Sequence, residues 1–380
     1  MPHEHRNRFD LPELAGAFGD LGTLIPFVVA YVSILKMDPT GILLAFGVAL
    51  IVAGFHYRTP FPVQPMKAIG AAAITQTAGA VALTPALVAG AGVATGLIWL
   101  ALAASGLAKR LALWIPKPAL LGIVMGLGFS FMLEGIRMMA QGWAVSAVLL
   151  ALTFVLLARS RFPAMVVLLL AGAGVALFQQ PTLVDSLAMV KPAFRLPDFA
   201  WPALTWQDVW LGAVLLALPQ LPLTFGNALI AIGEENNRLF PDRPVTERKV
   251  AFSTGVMNLW SSALGGIPMC HGAGGMAGHV KFGARTGGAS IMLGALLIVL
   301  ALFFGGSMLT LFRLFPPPVL GVILFLAGAE LALGGRDPGP EKVDRFVVLA
   351  TAVFAMWNVG IAVIFGFLAW HASRRGWLKV

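Results

Sequence analysis

Pro62-Val63-Gln64-Pro65-Met66-Lys67-Ala68 and Ile267-Pro268-Met269-Cys270-His271-Gly272-Ala273-Gly274-Gly275 decide how this chain reads. Each interrupts an apolar run long enough to cross a bilayer, placing proline, then polar groups, then the start of a new helix at membrane depth. Irregular backbone is tolerated there only where it is buried in protein or lines a cavity. One such break in each half of a chain is a pointer to a transporter's binding site.

The surrounding composition is that of a membrane protein. Of 380 residues, 58% are hydrophobic and only 11% charged, against about 25% charged in soluble domains. Residues 39–57, 68–108, 250–280 and 286–312 contain no Asp, Glu, Lys or Arg. A spanning helix needs roughly 20 mostly apolar residues, so the longest runs hold two. The polar start, ending Phe9-Asp10-Leu11-Pro12-Glu13, lacks the apolar core of a signal peptide. A single cysteine, Cys270, excludes an intrachain disulfide and a cysteine-based metal cluster. The net charge of +9 reads as basic residues on cytoplasmic loops and not as a nucleic-acid surface.

Hydropathy divides the chain into fourteen membrane segments. The first seven are 14–35, 39–56, 64–82, 86–110, 118–135, 143–158 and 163–180. The second seven are 208–232, 250–264, 271–283, 287–312, 318–334, 343–356 and 358–372. The third and tenth are half-helices that follow the extended breaks, and the last two look too short to span fully. This gives a tail 1–13, a first repeat 14–180, an extracytoplasmic linker 181–207, a second repeat 208–372 and a tail 373–380, with no soluble C-terminal domain expected. With both termini cytoplasmic, only Lys36, Arg137, Lys191, Arg195 and Arg313 fall outside; apart from Lys67, every other one of the 26 basic residues falls inside. An odd number of spans per half requires the second half to be inserted upside down. Pro116-Lys117-Pro118 recurs as Pro316-Pro317-Pro318, and Asp20 corresponds at the same offset to Gln220. The fold expected is therefore all-α, polytopic, with seven-plus-seven inverted repeats.

A helix that begins inside the membrane leaves its first N–H groups unpaired and carries partial positive charge there, which favours an anion. Pro65 suits a first helical position, leaving the amides of Met66, Lys67 and Ala68 to donate. Gly272, Ala273, Gly274 and Gly275 allow close backbone approach to a ligand. Opposed across the midplane, two such starts suit a small oxyanion. Lys67 is the one basic residue that falls in neither the inside nor the outside set, and is either a ligand to that anion or a side chain snorkelling toward the cytoplasm beside Arg58. Gln64 and His271 flank the starts; His271 either meets the ligand or caps and bridges helices. Asp20, in Phe18-Gly19-Asp20-Leu21-Gly22-Thr23, pairs with Lys67, binds a cation or carries a proton. Gln220, Thr224 and Asn227 share one face of the eighth span, as cavity lining or as interhelical glue.

These segments, together with Pro219-Gln220-Leu221-Pro222-Leu223-Thr224 and Lys281-Phe282-Gly283-Ala284-Arg285-Thr286-Gly287, resemble the signature segments of the plant and microbial molybdate transporter family, distant relatives of the sulfate permeases. The resemblance runs over nearly the whole chain. It implies the fold shared by sulfate and uracil permeases, divided into a core and a gate domain, with substrate held between the third and tenth helix starts. Through their place in the motifs it implies Gln64, Lys67, His271 and the Gly274–Gly275 region as binding residues.

The expected function is secondary transport of a tetrahedral oxyanion, molybdate foremost with sulfate and tungstate as relatives in shape, across a cytoplasmic or plasma membrane. Proton symport through Asp20 or His271 is the expected coupling. A nucleobase–proton symporter on the same fold would want a carboxylate on the eighth span, where this chain has Gln220 and Asn227. A passive anion channel is the other alternative. No catalytic constellation of an intramembrane enzyme is present, and no cofactor or metal is called for. The partners expected are the oxyanion, a proton and the lipid bilayer; the oligomeric state, a homodimer among the options, is left open.

Overall fold

The structure, a computed structural model, describes residues 6–70, 77–78, 81–113, 116–158, 164–333, 341–357 and 359–377. Helix starts follow a repeated local rule, an extended cap residue and then proline. Asp10 caps Leu11–Ala17 by accepting from Glu13 N–H, Asp38 caps Pro39–Tyr57 through Thr40 N–H, and Thr84 caps Pro85–Ser105 through Leu87 N–H. Each cap satisfies an otherwise orphaned amide, and the proline that follows has none to lose. Thr205 and Asp208 form a reciprocal capping box at the start of Trp206–Gly212.

Among the described residues, five helices are long and apolar enough to cross a membrane: Leu11–Ser33, Pro39–Tyr57, Pro85–Ser105, Lys117–Ala158 and Gly288–Phe312. Two bent pairs, Ala164–Gln179 with Thr182–Ala188 and Trp206–Leu221 with Leu223–Leu239, raise this to seven. Shorter helices Glu247–Ala263, Ala273–Lys281, Pro317–Leu333, Lys342–Trp357 and Val359–Arg374 lie where the remaining segments of the second half are read from sequence. The arrangement is compatible with fourteen segments.

Two regions differ from expectation. The third segment does not run as helix to residue 82: helix is described at 67–70, residues 71–76 and 79–80 lie outside the described residues, and strands β2 (Thr77–Ala78) and β3 (Val81–Ala82) form a small antiparallel hairpin. Val81 and the β-branched Thr77 fit a pleat better than a helix. The eighth span is longer than read, Trp206 to Leu239, because π-type turns at Ala213–Ala217 and Gly226–Ala231 bracket Pro219 and Pro222. A wide turn accommodates the hydrogen bond a proline removes, so the helix bends by 44° without ending.

The halves interlock reciprocally. Lys117–Met139 crosses Pro317–Leu333 in antiparallel fashion, and glycines make the closest approach on both sides. A Cβ on Gly128 would come within 2.6 Å of Gly328 O, and one on Gly328 within 2.7 Å of Gly128 O. Gly135 and Gly321 repeat the relation at 2.7 Å each way. Pro39–Tyr57 packs on Gly288–Phe304 as Glu247–Ala263 packs on Pro85–Ser105, the second and eleventh spans matching the ninth and fourth. Such exchange of roles is what two inverted copies about a pseudo-two-fold axis produce. Two bodies result. One contains the Leu11–Ser33, Pro39–Tyr57, Pro85–Ser105, Trp206–Leu239, Glu247–Ala263, Ala273–Lys281 and Gly288–Phe304 helices, the other Lys117–Ala158 and Ala164–Gln179 with Pro317–Leu333, Lys342–Trp357 and Val359–Arg374. They meet where Ala273–Lys281 packs on Pro317–Leu333, with Lys281 Nζ 3.3 Å from Glu330 Oε2.

Candidate functional site

The two breaks are neighbours. Strand β1 (Gln64–Pro65) pairs antiparallel with β4 (Met269–Cys270), Gln64 opposite Cys270 and Pro65 opposite Met269. Met66 N–H adds a 3.0 Å bond to Pro268 O. Prolines 62, 65 and 268 hold the backbone extended and cannot contribute N–H groups, so the ladder is short and every carbonyl beside it needs another donor.

Side chains supply those donors. Pro60 O faces His279 Nδ1 at 3.1 Å, Phe61 O accepts from Ser290 Oγ at 2.8 Å, and Pro62 O faces His271 Nδ1 at 2.8 Å. On the second break, Ser261 Oγ donates to Ile267 O at 2.7 Å. Asn258 grips Met269 with both amide atoms, Nδ2 to its carbonyl at 2.7 Å and Oδ1 from its N–H at 3.0 Å. Unsatisfied backbone in hydrocarbon costs several kcal/mol per group, which explains why so many polar side chains converge here.

On one side of the β1–β4 pair lies a polar constellation. Leu11–Ala17 gives way at Phe18–Asp20 to a tighter turn, and this turn aims Asp20 inward. The Asp20 carboxylate accepts from Thr23 Oγ1 and from Gln64 Nε2, the latter at 2.5 Å. Gln64 Nε2 also lies 2.9 Å from Thr23 Oγ1. A carboxylate neighbour fixes the amide's orientation, leaving Gln64 Oε1 turned toward Gly272 and without a hydrogen-bond partner. Gly272 must be glycine there, since a Cβ would collide with that oxygen. A Cβ on Gly275 would stand 2.7 Å from Asp20 Oδ2. Gln220 Oε1 accepts from Ala68 N–H at 2.7 Å, while Gln220 Nε2 donates to Thr224 Oγ1 at 2.9 Å. Asn227 is buried beside Gly272, and its Oδ1 has no partner.

Lys67 opens the helix at 67–70. Its Nζ is buried, makes no hydrogen bond, and stands 3.3 Å from the centroid of the Phe131 ring. It borders a cavity of ≈590 Å³ that also touches Thr23, Ala68, Pro219, Leu223 and Phe131 and reaches Glu134 and Arg137 near the end of Lys117–Met139. The cavity lies between the two bodies and is within the size range of small-molecule sites.

Gln64 and Gly275 thus adjoin Asp20, Gly272 and Asn227 adjoin Gln64, Gly274 adjoins Phe131, and Gln220 with Thr224 holds Ala68 beside Lys67. Three expectations change in detail. The amides of Met66 and Ala68 are not free donors, because Pro268 O and Gln220 Oε1 already hold them. Asp20 does not hydrogen-bond Lys67; Gln64 and Thr23 occupy it instead. His271 uses both ring nitrogens on protein, Nδ1 with Pro62 O and Nε2 with Ser253 Oγ at 2.8 Å. A carbonyl can only accept, so Nδ1 carries the proton and Nε2 accepts from serine. The ring also packs edge-on against Phe61 and Tyr57, at 4.9 and 5.6 Å between centroids. Asn258, Ser253, Ser261, Ser290 and His279 were not read from sequence as part of the site. Their signal is a polar residue recurring on otherwise uncharged helices, which also marks ordinary interhelical bonding.

A family profile described as "Molybdate transporter of MFS superfamily" matches residues 12–131 and again 212–331, two copies at the 200-residue offset of the internal repeat. The chain is 31% identical to Molybdate transporter 1 of Arabidopsis thaliana over 94% of its length and 87% of that protein's. It is 30% identical to Molybdate transporter 2 of the same plant, over 93% and 85%. With Molybdate transporter 1 of Chlamydomonas reinhardtii the identity is 29%, over 93% and 89%. Among solved structures, the murine Slc26a9 anion transporter in its inward-facing state matches with a TM-score of 0.63 at 14% identity, over all of this chain and 70% of that one. The transmembrane domain of the cyanobacterial bicarbonate transporter BicA matches with 0.54 at 16%, over 94% and 98%. At such identities the structural likeness speaks for the fold, while the sequence matches speak for descent. On these grounds the chain is an integral membrane protein and belongs to the molybdate transporter family.

Proposed function

We propose that this protein imports a tetrahedral oxyanion, molybdate foremost, by alternating access. The observation that carries the reading is the β1–β4 pairing, which sets two helix starts side by side with a buried ammonium of no hydrogen-bonding partner at the edge of a cavity. Lys67 supplies the charge that a dianion requires, and the helix start at Ala273 adds partial positive charge. Gln220 and Thr224 steady the first start, and Gln64 is held in orientation by Asp20. His271 acts as a strut of the second break, without touching the anion. The cycle moves the body carrying the breaks against the body carrying Phe131, breaking and remaking contacts such as Lys281–Glu330.

Both termini lie in the cytoplasm of a cell with a negative interior, in its plasma membrane. Bringing in two negative charges then costs about 4.6 kcal/mol per 100 mV, so uptake needs a coupled cation. Asp20 is the group we assign to proton coupling, because His271 has both nitrogens committed. Titration calorimetry of purified protein with molybdate, tungstate, sulfate and uracil tests the substrate class. Tight heats with the first two and none with uracil are expected, whereas uracil binding alone would sink the reading. Uptake into proteoliposomes that ignores collapse of the pH gradient would remove the proton.

A further inference from the structure

We propose that Phe131 is a built-in stand-in for the substrate: its ring face occupies the anion's place at Lys67 when the site is empty, and the arriving oxyanion must displace it. This rests on the oxyanion reading above and adds to it how binding is felt by the second body. Lys67 and Phe131 belong to different bodies, one starting the first half-helix, the other on Lys117–Met139. The ring centroid lies 3.3 Å from the ammonium, and the ring edge also abuts the start of the second half-helix, where a Cβ on Gly274 would run into it. One aromatic ring therefore touches both of the positive elements that would hold an anion.

An ammonium has three donors and is strongly hydrated, so a π face by itself leaves it under-satisfied. An oxyanion offers charge-assisted hydrogen bonds, which are much stronger. The exchange therefore runs toward the anion, and the adjoining cavity has room for a withdrawn ring. Gly128 and Gly135 lock the Phe131 helix against Pro317–Leu333, its neighbour in the same body, on either side of that residue, so a push on the ring is passed to that body as a whole. Phe131 is then a positioning residue that links occupancy to movement, and it lowers the apparent affinity by competing for Lys67.

The test is molybdate titration of the full chain in detergent with the ring's π charge varied. Site-specific incorporation of 3,4,5-trifluorophenylalanine at 131 drains the ring face with little change in shape, and Phe131→Leu removes it. Molybdate Kd should tighten roughly threefold with the fluorinated ring and about tenfold with leucine, in the range of a desolvated cation–π contact. Trans-stimulated exchange in proteoliposomes should slow in the same order. Unchanged affinity across the series while the parent binds molybdate would overturn the inference, as would weaker binding to the fluorinated protein. If no member of the series, parent included, binds molybdate, the oxyanion reading itself falls. The fluorinated protein keeps the test decisive should the leucine variant fail to fold.

Discussion

The two breaks occupy equivalent places in inverted halves, yet they are built from different chemistry. The first, 62–68, carries side chains: Gln64 oriented by Asp20, and Lys67 at the cavity edge. The second, 267–275, carries backbone: Gly272, Gly274 and Gly275 stand where a Cβ would strike Gln64, Phe131 or Asp20. The carbonyls of Pro60, Phe61 and Pro62, leading into the first, are held by His279, Ser290 and His271, all from the opposite half. The second is held largely by its own half, through Asn258 and Ser261. Inverted repeats therefore fix where the helix starts meet but not what each contributes. One supplies charge, the other supplies closeness.

The sharpest way to break this contrast is Lys67→Ala, expected to weaken molybdate binding by more than tenfold, since an ammonium–anion bond in a dry site is worth at least 1.5–3 kcal/mol. Calorimetry with unaltered affinity would leave the first break without its assigned role. Gly274→Ala comes next. The new methyl group meets the Phe131 ring, a collision worth about 1–3 kcal/mol, so it should lower the melting temperature in detergent. Asn258→Leu keeps volume but strips both bonds from Met269; a loss of stability of roughly 2–3 kcal/mol is expected, read as a lower melting temperature. A variant as stable as the parent would show that the second break needs no such clamp. The smallest effect on affinity should come from His271→Ala, with molybdate Kd within about threefold of the parent but reduced thermal stability. A loss of affinity as large as that of Lys67→Ala would make His271 a ligand after all.

Much of this is legible in the sequence alone. The uncharged runs and proline-interrupted motifs announced broken spans, and the 200-residue offset announced the repeat. Asp20, Gln64, Lys67 and Gln220 stood out as polar groups where hydrocarbon was expected. What could not be read was which partner each polar group would take. His271 looked like a ligand because a histidine beside a helix start is chemically able to be one; only packing shows Pro62 and Ser253 already at its nitrogens. Phe131 gave no signal at all, as one of 26 phenylalanines in an apolar helix.

By itself, then, the sequence determined the membrane setting, the duplication and the pair of interrupted helices, because hydropathy, proline and glycine act locally and leave a pattern along the chain. The tertiary structure alone decided that the breaks hydrogen-bond to each other, that Asp20 orients Gln64 and leaves Lys67 unpaired, and that a ring from the second body covers the ammonium. Those are contacts between residues as far apart in sequence as Gln64 and Cys270, and their partners are chosen by packing and by the demand that buried polar groups be satisfied.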